Sequence, residues 1–240
     1  MEEGSQQPVW LERLEEEHDN MRRALSWSLG QGQDSELALR IGAALGEFWY
    51  LRGYWSEGCR WLEEALAKSS PAPTAACARA LQRVSWLTYL QGDLDRAKEA
   101  SEEGLGLEGV DLFRTGGGDC TAAELQRVLG MVVGDRGELE RETELLEESL
   151  ALSRKVASLR GMAVSLFILG ATWRARGDLE RATQLLEEAL TMFRATGDQA
   201  LIASVLTHLG FTFLFQGDLE RRRPAKKPRR CFESRSINPT

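Results

Sequence analysis

Histidine, cysteine and proline are scarce in this 240-residue chain, which contains two, four and six of them. The histidines, His18 and His208, stand far apart along the chain, so no metal site built on the pair is expected. The cysteines (Cys59, Cys77, Cys120 and Cys231) show no CxxC spacing and no neighbouring histidine. A disulfide framework is therefore not expected, and a reduced, cytoplasmic chain is the simplest reading. Runs of β-branched residues are few, whereas Ala, Leu, Glu and Arg abound, which favours helices over sheets. No apolar run approaches the ~20 residues of a membrane span. The polar N-terminus MEEGSQQPVW lacks the apolar core of a secretory signal. No GxSxG, HExxH, GxxxxGK[ST] or Cys–His arrangement occurs, so the chain reads as a non-enzyme with no cofactor and no metal.

Charge is present but unevenly spread. From residue 221 onward eight Lys/Arg face one Glu, a net of +7; since the whole chain carries −7, residues 1–220 carry −14. An acidic body is a poor general binder of phosphate backbones, so nucleic acid is not an expected partner outside the tail.

Internal repetition is the strongest signal in the sequence. A helix-breaking motif recurs as GYWSEG at Gly53, GDLDRA at Gly92, GELERE at Gly137, GDLERA at Gly177 and GDLERR at Gly217. The intervals are 39, 45, 40 and 40 residues, the long one containing a glycine-rich insertion over 105–119. Seven residues before each break stands a small residue: Gly46, Ser85, Gly130, Gly170, Gly210. An apolar residue precedes each of these, and Trp49, Thr88, Val133, Trp173 and Phe213 follow three positions later. A small residue on the first helix of a pair lets the second approach closely, and the bulky neighbours fill the groove between them. Residues 163–193 show the pair at its clearest, with Asp178 placed to cap the second helix. Glu142 and Arg222 stand where the other second helices carry a small residue, so the third and last units are expected to pack less tightly.

This pattern resembles the tetratricopeptide repeat (TPR), with a period of about 40 in place of 34 and without the usual closing proline. The resemblance covers residues ~36–220 and implies an all-α, right-handed superhelical array of antiparallel helix hairpins. The organisation expected is an amphipathic helix over 9–29 within a 1–33 segment packing on the array, a repeat domain over 34–220, and a basic disordered tail over 221–240. A narrower resemblance lies in WLERLEEEHDNMRRALSW followed by ELALRIGAALGEFWYLRGYWSEGCRWLEEAL. These runs are similar to the start of the TPR region in bacterial signal-transducing ATPase regulators of the LuxR, SARP and maltose-activator type. That resemblance implies an effector- or partner-sensing module lacking the ATPase and DNA-binding parts.

If the phase is right, the inner faces of the first helices line a concavity. Residues pointing there are Arg40, Glu47, Tyr50, Arg79, Gln82, Trp86, Tyr89, Arg127, Met131, Phe167, Arg174 and Phe211. Aromatics interspersed with arginines are the usual anchors of interfaces, and several also suit contacts between repeats. The expected occupant is a peptide, a protein or a small effector. Other motifs have plainer explanations. GLGLEG at Gly104–Gly109 follows an acidic helical run and no strand, so it reads as a helix end, not a dinucleotide loop. Glu147–Glu148 and Glu187–Glu188 read as solvated outer faces.

The tail RRRPAKKPRRCFESRSINPT breaks the repeat in mid-unit, and Pro224 and Pro228 oppose a helix there. It reads either as a shifted frame of a GC-rich gene or as a basic arm contacting nucleic acid, in which case the chain is a stand-alone regulator. An unfinished last unit leaves Phe211, Phe213, Leu214 and Phe215 as an apolar edge suited to self-association.

Overall fold

The computed structural model describes residues 3–30, 34–70, 74–107 and 118–222, and every regular element among them is a helix. In order they are α1 (Glu3–Glu16), α2 (His18–Leu29), α3 (Ser35–Arg52), α4 (Trp55–Lys68), α5 (Ala75–Leu90), α6 (Leu94–Gly106), α7 (Gly118–Asp135), α8 (Leu139–Lys155), α9 (Leu159–Ala175), α10 (Leu179–Thr196) and α11 (Gln199–Arg222). From α3 onward odd-numbered A helices alternate with even-numbered B helices. Each B helix packs between the A helices before and after it, and successive A helices also touch. This is a TPR-like helical repeat array.

The recurring breaks form for one local reason. Gly53, Gly92, Gly137 and Gly177 all take a left-handed φ, between 76° and 85°, which a side chain disfavours. The next helix is then capped from its own sequence. Asp93 accepts the Arg96 amide at 3.0 Å and Asp178 accepts the Arg181 amide at 3.0 Å. The fifth break does not form: α11 runs straight through Gly217 to Arg222. Gly217 stays in the helix and is not among the glycines with a left-handed φ. The turns from B back to A follow a second 40-residue rhythm. Gly197 ends α10 with φ 74°, and forty residues earlier Ala157 ends α8 with φ 52°.

Packing between A and B helices follows the small-residue rule with informative variations. A Cβ on Gly170 would lie 2.7 Å from Leu186 Cγ, and one on Gly130 would lie 3.2 Å from Leu146 Cγ. In the second unit a hydroxyl pair replaces this contact: Ser85 and Ser101 are both fully buried and hydrogen-bonded at 2.6 Å. The first unit departs from expectation. The nearest atoms to a Cβ on Gly46 belong to Arg83 of α5, whereas Gly42, one turn earlier, faces Leu62 of α4 at 2.7 Å. Trp49 fills the space over Gly58, so the close approach there moves up by one helical turn. The looser third unit also fails to materialise. Glu142 is buried over Gly134, which has no side chain to oppose it, and α7–α8 packs as intimately as α9–α10.

At the N-terminal end the single helix expected over 9–29 is divided at Glu17, although the Glu17 amide still reaches the Arg13 carbonyl at 3.0 Å. Three like charges, Glu15–Glu17, meet at the bend, and His18 turns inward immediately after them. Its ring sits 5.0 Å from Phe48 and 4.7 Å from Tyr54. Near the end of α2, Leu29 is buried and Trp27 is exposed. The insertion over 105–119 lies mostly outside the described residues, with α7 beginning at Gly118; the 221–240 tail lies outside them apart from the end of α11.

The last helix corrects a further expectation. Gln199–Gly217 has a mean hydropathy of 1.5 over 19 residues and is long and apolar enough to cross a membrane. Counting consecutive apolar residues missed it because isolated Ser, Thr and His interrupt the run. Among residues 199–217 of this helix only Val205, Leu209 and Thr212 are buried, on the side that packs against α10. Leu206, Phe211, Phe213, Leu214 and Phe215 are exposed, on faces that a following B helix would otherwise share.

Candidate functional site: the groove of the A helices

Three features on successive A helices build a concave wall. The first is an aromatic ladder: Tyr50 of α3 lies edge-on to Trp86 of α5 at 5.8 Å, and Trp86 stacks on Tyr89 at 6.0 Å. The second is an arginine series, Arg83, Arg127 and Arg160, one from each of α5, α7 and α9. The third is an apolar floor of Met131, Val164, Phe167 and Ile168.

These side chains, Tyr89 apart, line a groove of about 210 Å³. Glu47, Tyr50, Gln82, Trp86, Arg127, Met131 and Phe167, seven of the residues expected to face inward, meet there. Arg40 and Arg79 line an adjoining hollow of about 590 Å³, which shares Gln82, Arg83 and Glu124 with the groove. Three expected residues lie elsewhere. Tyr89 borders the ladder, and its hydroxyl donates to Asp135 at 3.0 Å. Arg174 is half-buried beyond the groove wall, its Nε without a partner. Phe211 is half-exposed on α11, on the side left open after the last helix.

The groove also contains residues that the sequence reading missed, chiefly Arg83, Glu124, Arg160, Val164 and Leu201. A signal for four of the wall positions was available. Glu47, Arg83, Glu124 and Val164 each stand three residues before Tyr50, Trp86, Arg127 and Phe167, one helical turn along the same face.

The electrostatics of the groove are uneven. Arg83 is paired with Glu47 at 3.7 Å and Arg160 with Asp198 at 3.7 Å. Arg127 has no such partner. Its Nη1 is shut off from solvent without a hydrogen bond, and burial lowers its pKa, opposed by Glu124 and reinforced by Arg160. His208, packed edge-on to Phe167 at 4.9 Å, is likewise held below the usual histidine value by burial and by Arg174. Behind the aromatic ladder, burial and the bond to Asp135 push the Tyr89 phenol up. Among the described residues no three His, Cys, Asp or Glu side chains converge as a metal site. Cys59 is buried, and its thiol is pushed up to about 12, which leaves it a poor nucleophile.

Comparison with known proteins gives the fold a class. A family model described as tetratricopeptide repeat matches residues 168–196, the second half of α9 and all of α10. No curated protein matches the chain. Among solved structures the chain is similar to BtubC from P. vanneervenii, at 17% identity over 88% of this chain and 86% of that one, with a TM-score of 0.66. It is similar to the Rap conjugation gene regulator of plasmid pLS20, solved in complex with the Phr* peptide, at 15% identity over 76% of this chain and 53% of that one (TM-score 0.55). It is similar also to a signal transduction ATPase with numerous domains and a TPR sensor from Pyrococcus horikoshii, at 13% identity over 78% of this chain and 30% of that one (TM-score 0.57). The chain thus spans about half of the Rap regulator and under a third of the ATPase. At these identities the likeness is one of fold.

Proposed function

We propose that this chain is a non-catalytic interaction module whose groove binds a peptide segment, serving a bacterial transcriptional or signalling regulator in the cytoplasm. The observation that carries this reading is the Tyr50–Trp86 aromatic pair, continued at its edge by Tyr89, standing beside Arg127 in one groove lined from five A helices. Aromatic faces provide contact area at low entropic cost, and arginine supplies directed hydrogen bonds. A groove lying across repeats suits an extended chain better than a compact metabolite. The Rap regulator of similar fold, solved with the Phr* peptide, supports a peptide as the occupant.

The test is a selection of random peptides on the full chain, followed by calorimetry with the peptides obtained. The W86A/F167A double variant should bind them at least about tenfold more weakly, about 1.4 kcal/mol, with an unchanged helical CD spectrum. Equal binding by that variant would place the peptides somewhere other than the groove and end the proposal.

We further propose that the exposed apolar face of α11 supports self-association, on the evidence of its exposed phenylalanines.

A further inference from the structure

Arg127 is the unmatched charge of the groove. Arg83 and Arg160, its neighbours on α5 and α9, each have a carboxylate at 3.7 Å, whereas among the described residues none stands within ion-pair distance of Arg127. Its Nη1 has neither solvent nor a hydrogen-bond partner. Arg127 is half-buried, and a guanidinium nitrogen with neither water nor a partner is unfavourable in the free protein. A carboxylate entering the groove accepts charge-assisted N–H bonds from the guanidinium and offsets that penalty.

We propose that Arg127 forms an anion subsite that takes a carboxylate of the bound peptide; the inference rests on the peptide-binding reading given above. A single negative charge fits better than a phosphate dianion, because Glu47 and Glu124 also line the groove and repel a second charge. Trp86, Met131 and Phe167 flank the site, so the residue beside the carboxylate is apolar or aromatic. The carboxylate comes either from the free C-terminus of the peptide or from an Asp or Glu side chain within it.

Two random-peptide libraries, one ending in a free carboxylate and one in an amide, distinguish the sources when selected on the full-length protein. Enrichment of apolar-ended peptides from the free-ended library alone identifies the C-terminus. A fixed Asp or Glu next to an apolar residue in both libraries identifies a side chain. In either case Arg127→Gln and Arg127→Met should weaken binding at least tenfold, and Arg127→Lys should fall between. Arg127→Met should also melt no lower than the parent protein, since it removes an unpaired buried charge, whereas a purely structural arginine would lower the melting temperature when replaced. Selected peptides that lack a fixed carboxylate, or that bind Arg127→Lys and Arg127→Met as tightly as the parent, overturn the subsite and leave peptide binding standing. Failure of both libraries to enrich any peptide overturns the subsite and the peptide-binding reading together.

Discussion

Arg176 donates a hydrogen bond to the Thr143 hydroxyl at 3.2 Å and another to the Leu139 carbonyl at 3.4 Å, tying the end of α9 to the start of α8. Forty residues later Gln216 makes the same two contacts with Thr183 and Leu179, at 3.4 and 3.2 Å. Both donors belong to a series. Arg52, Gln91, Arg136, Arg176 and Gln216 each stand immediately before a break glycine. Each reaches the preceding segment: Arg52 to Glu15, Gln91 to Cys59 and Arg136 to Asp95. These bonds fasten one unit to the next at the same level of every hairpin.

Arg176→Ala should therefore loosen the junction between α8 and α9–α10. The expected cost is about 1–2 kcal/mol for two lost hydrogen bonds, read as a lower urea midpoint. Arg176→Gln should recover most of it, because Gln216 already makes this contact. Equal destabilisation by both substitutions would show that the side-chain bonds contribute nothing.

The same substitution should act oppositely in two equivalent units. Gly170→Ala brings a methyl to 2.7 Å from Leu186 Cγ and 3.3 Å from the Ala182 carbonyl, so it should cost about 1–3 kcal/mol. A Cβ on Gly210 meets nothing within 4 Å, so Gly210→Ala should gain about 0.5–1 kcal/mol from helix propensity alone. Thermal unfolding of the two variants checks both signs.

Glu142 carries a pH signature. Burial raises its pKa above the ordinary carboxyl value, with Asp135 adding to the effect while the Thr172 hydroxyl and Arg176 oppose it. The folded state therefore holds a proton in a window where the unfolded chain has lost it, and stability falls as pH rises through that window. Glu142→Gln should be more stable than the parent at neutral pH. The gap should close as the pH drops below the ordinary carboxyl range, where both states are protonated. Glu57 works in the other direction: its bidentate bonds to Arg22, 2.7 Å each, lower its pKa, so its contribution is lost on acidification. Urea titrations of E142Q and the parent between pH 4 and pH 8 test this; a constant gap across the range would refute it.

The open face of α11 predicts association. At micromolar concentration, light scattering should show a species of about twice the 26.8 kDa chain mass. Replacing Phe211, Leu214 and Phe215 together by serine should return it to the monomer, with little change in helicity. A parent protein that stays monomeric at high concentration would contradict the proposal.

Much of the fold was legible because it is local. The 40-residue rhythm, the left-handed glycines and the aspartate caps are written in short motifs, and each acts through the backbone within a few residues of itself. The inward face of the A helices was legible for the same reason: one helical period carries Tyr50, Trp86, Arg127 and Phe167 to one side. What sequence alone left undetermined depends on neighbours distant in the chain. Gly46 and Gly42 both look like packing sites, and only the placement of Trp49 over Gly58 assigns the contact with α4 to Gly42. Glu142 looks disruptive until Gly134, on the facing helix, is seen to make room for it. GDLERR at Gly217 reads as a fifth break, yet the glycine stays helical and α11 continues to Arg222. Arg127 and Arg160 both read as arginines of A helices; tertiary structure pairs Arg160 with Asp198 and leaves the half-buried Arg127 without a carboxylate partner among the described residues, because ion pairing is decided by distances across helices that no local pattern encodes.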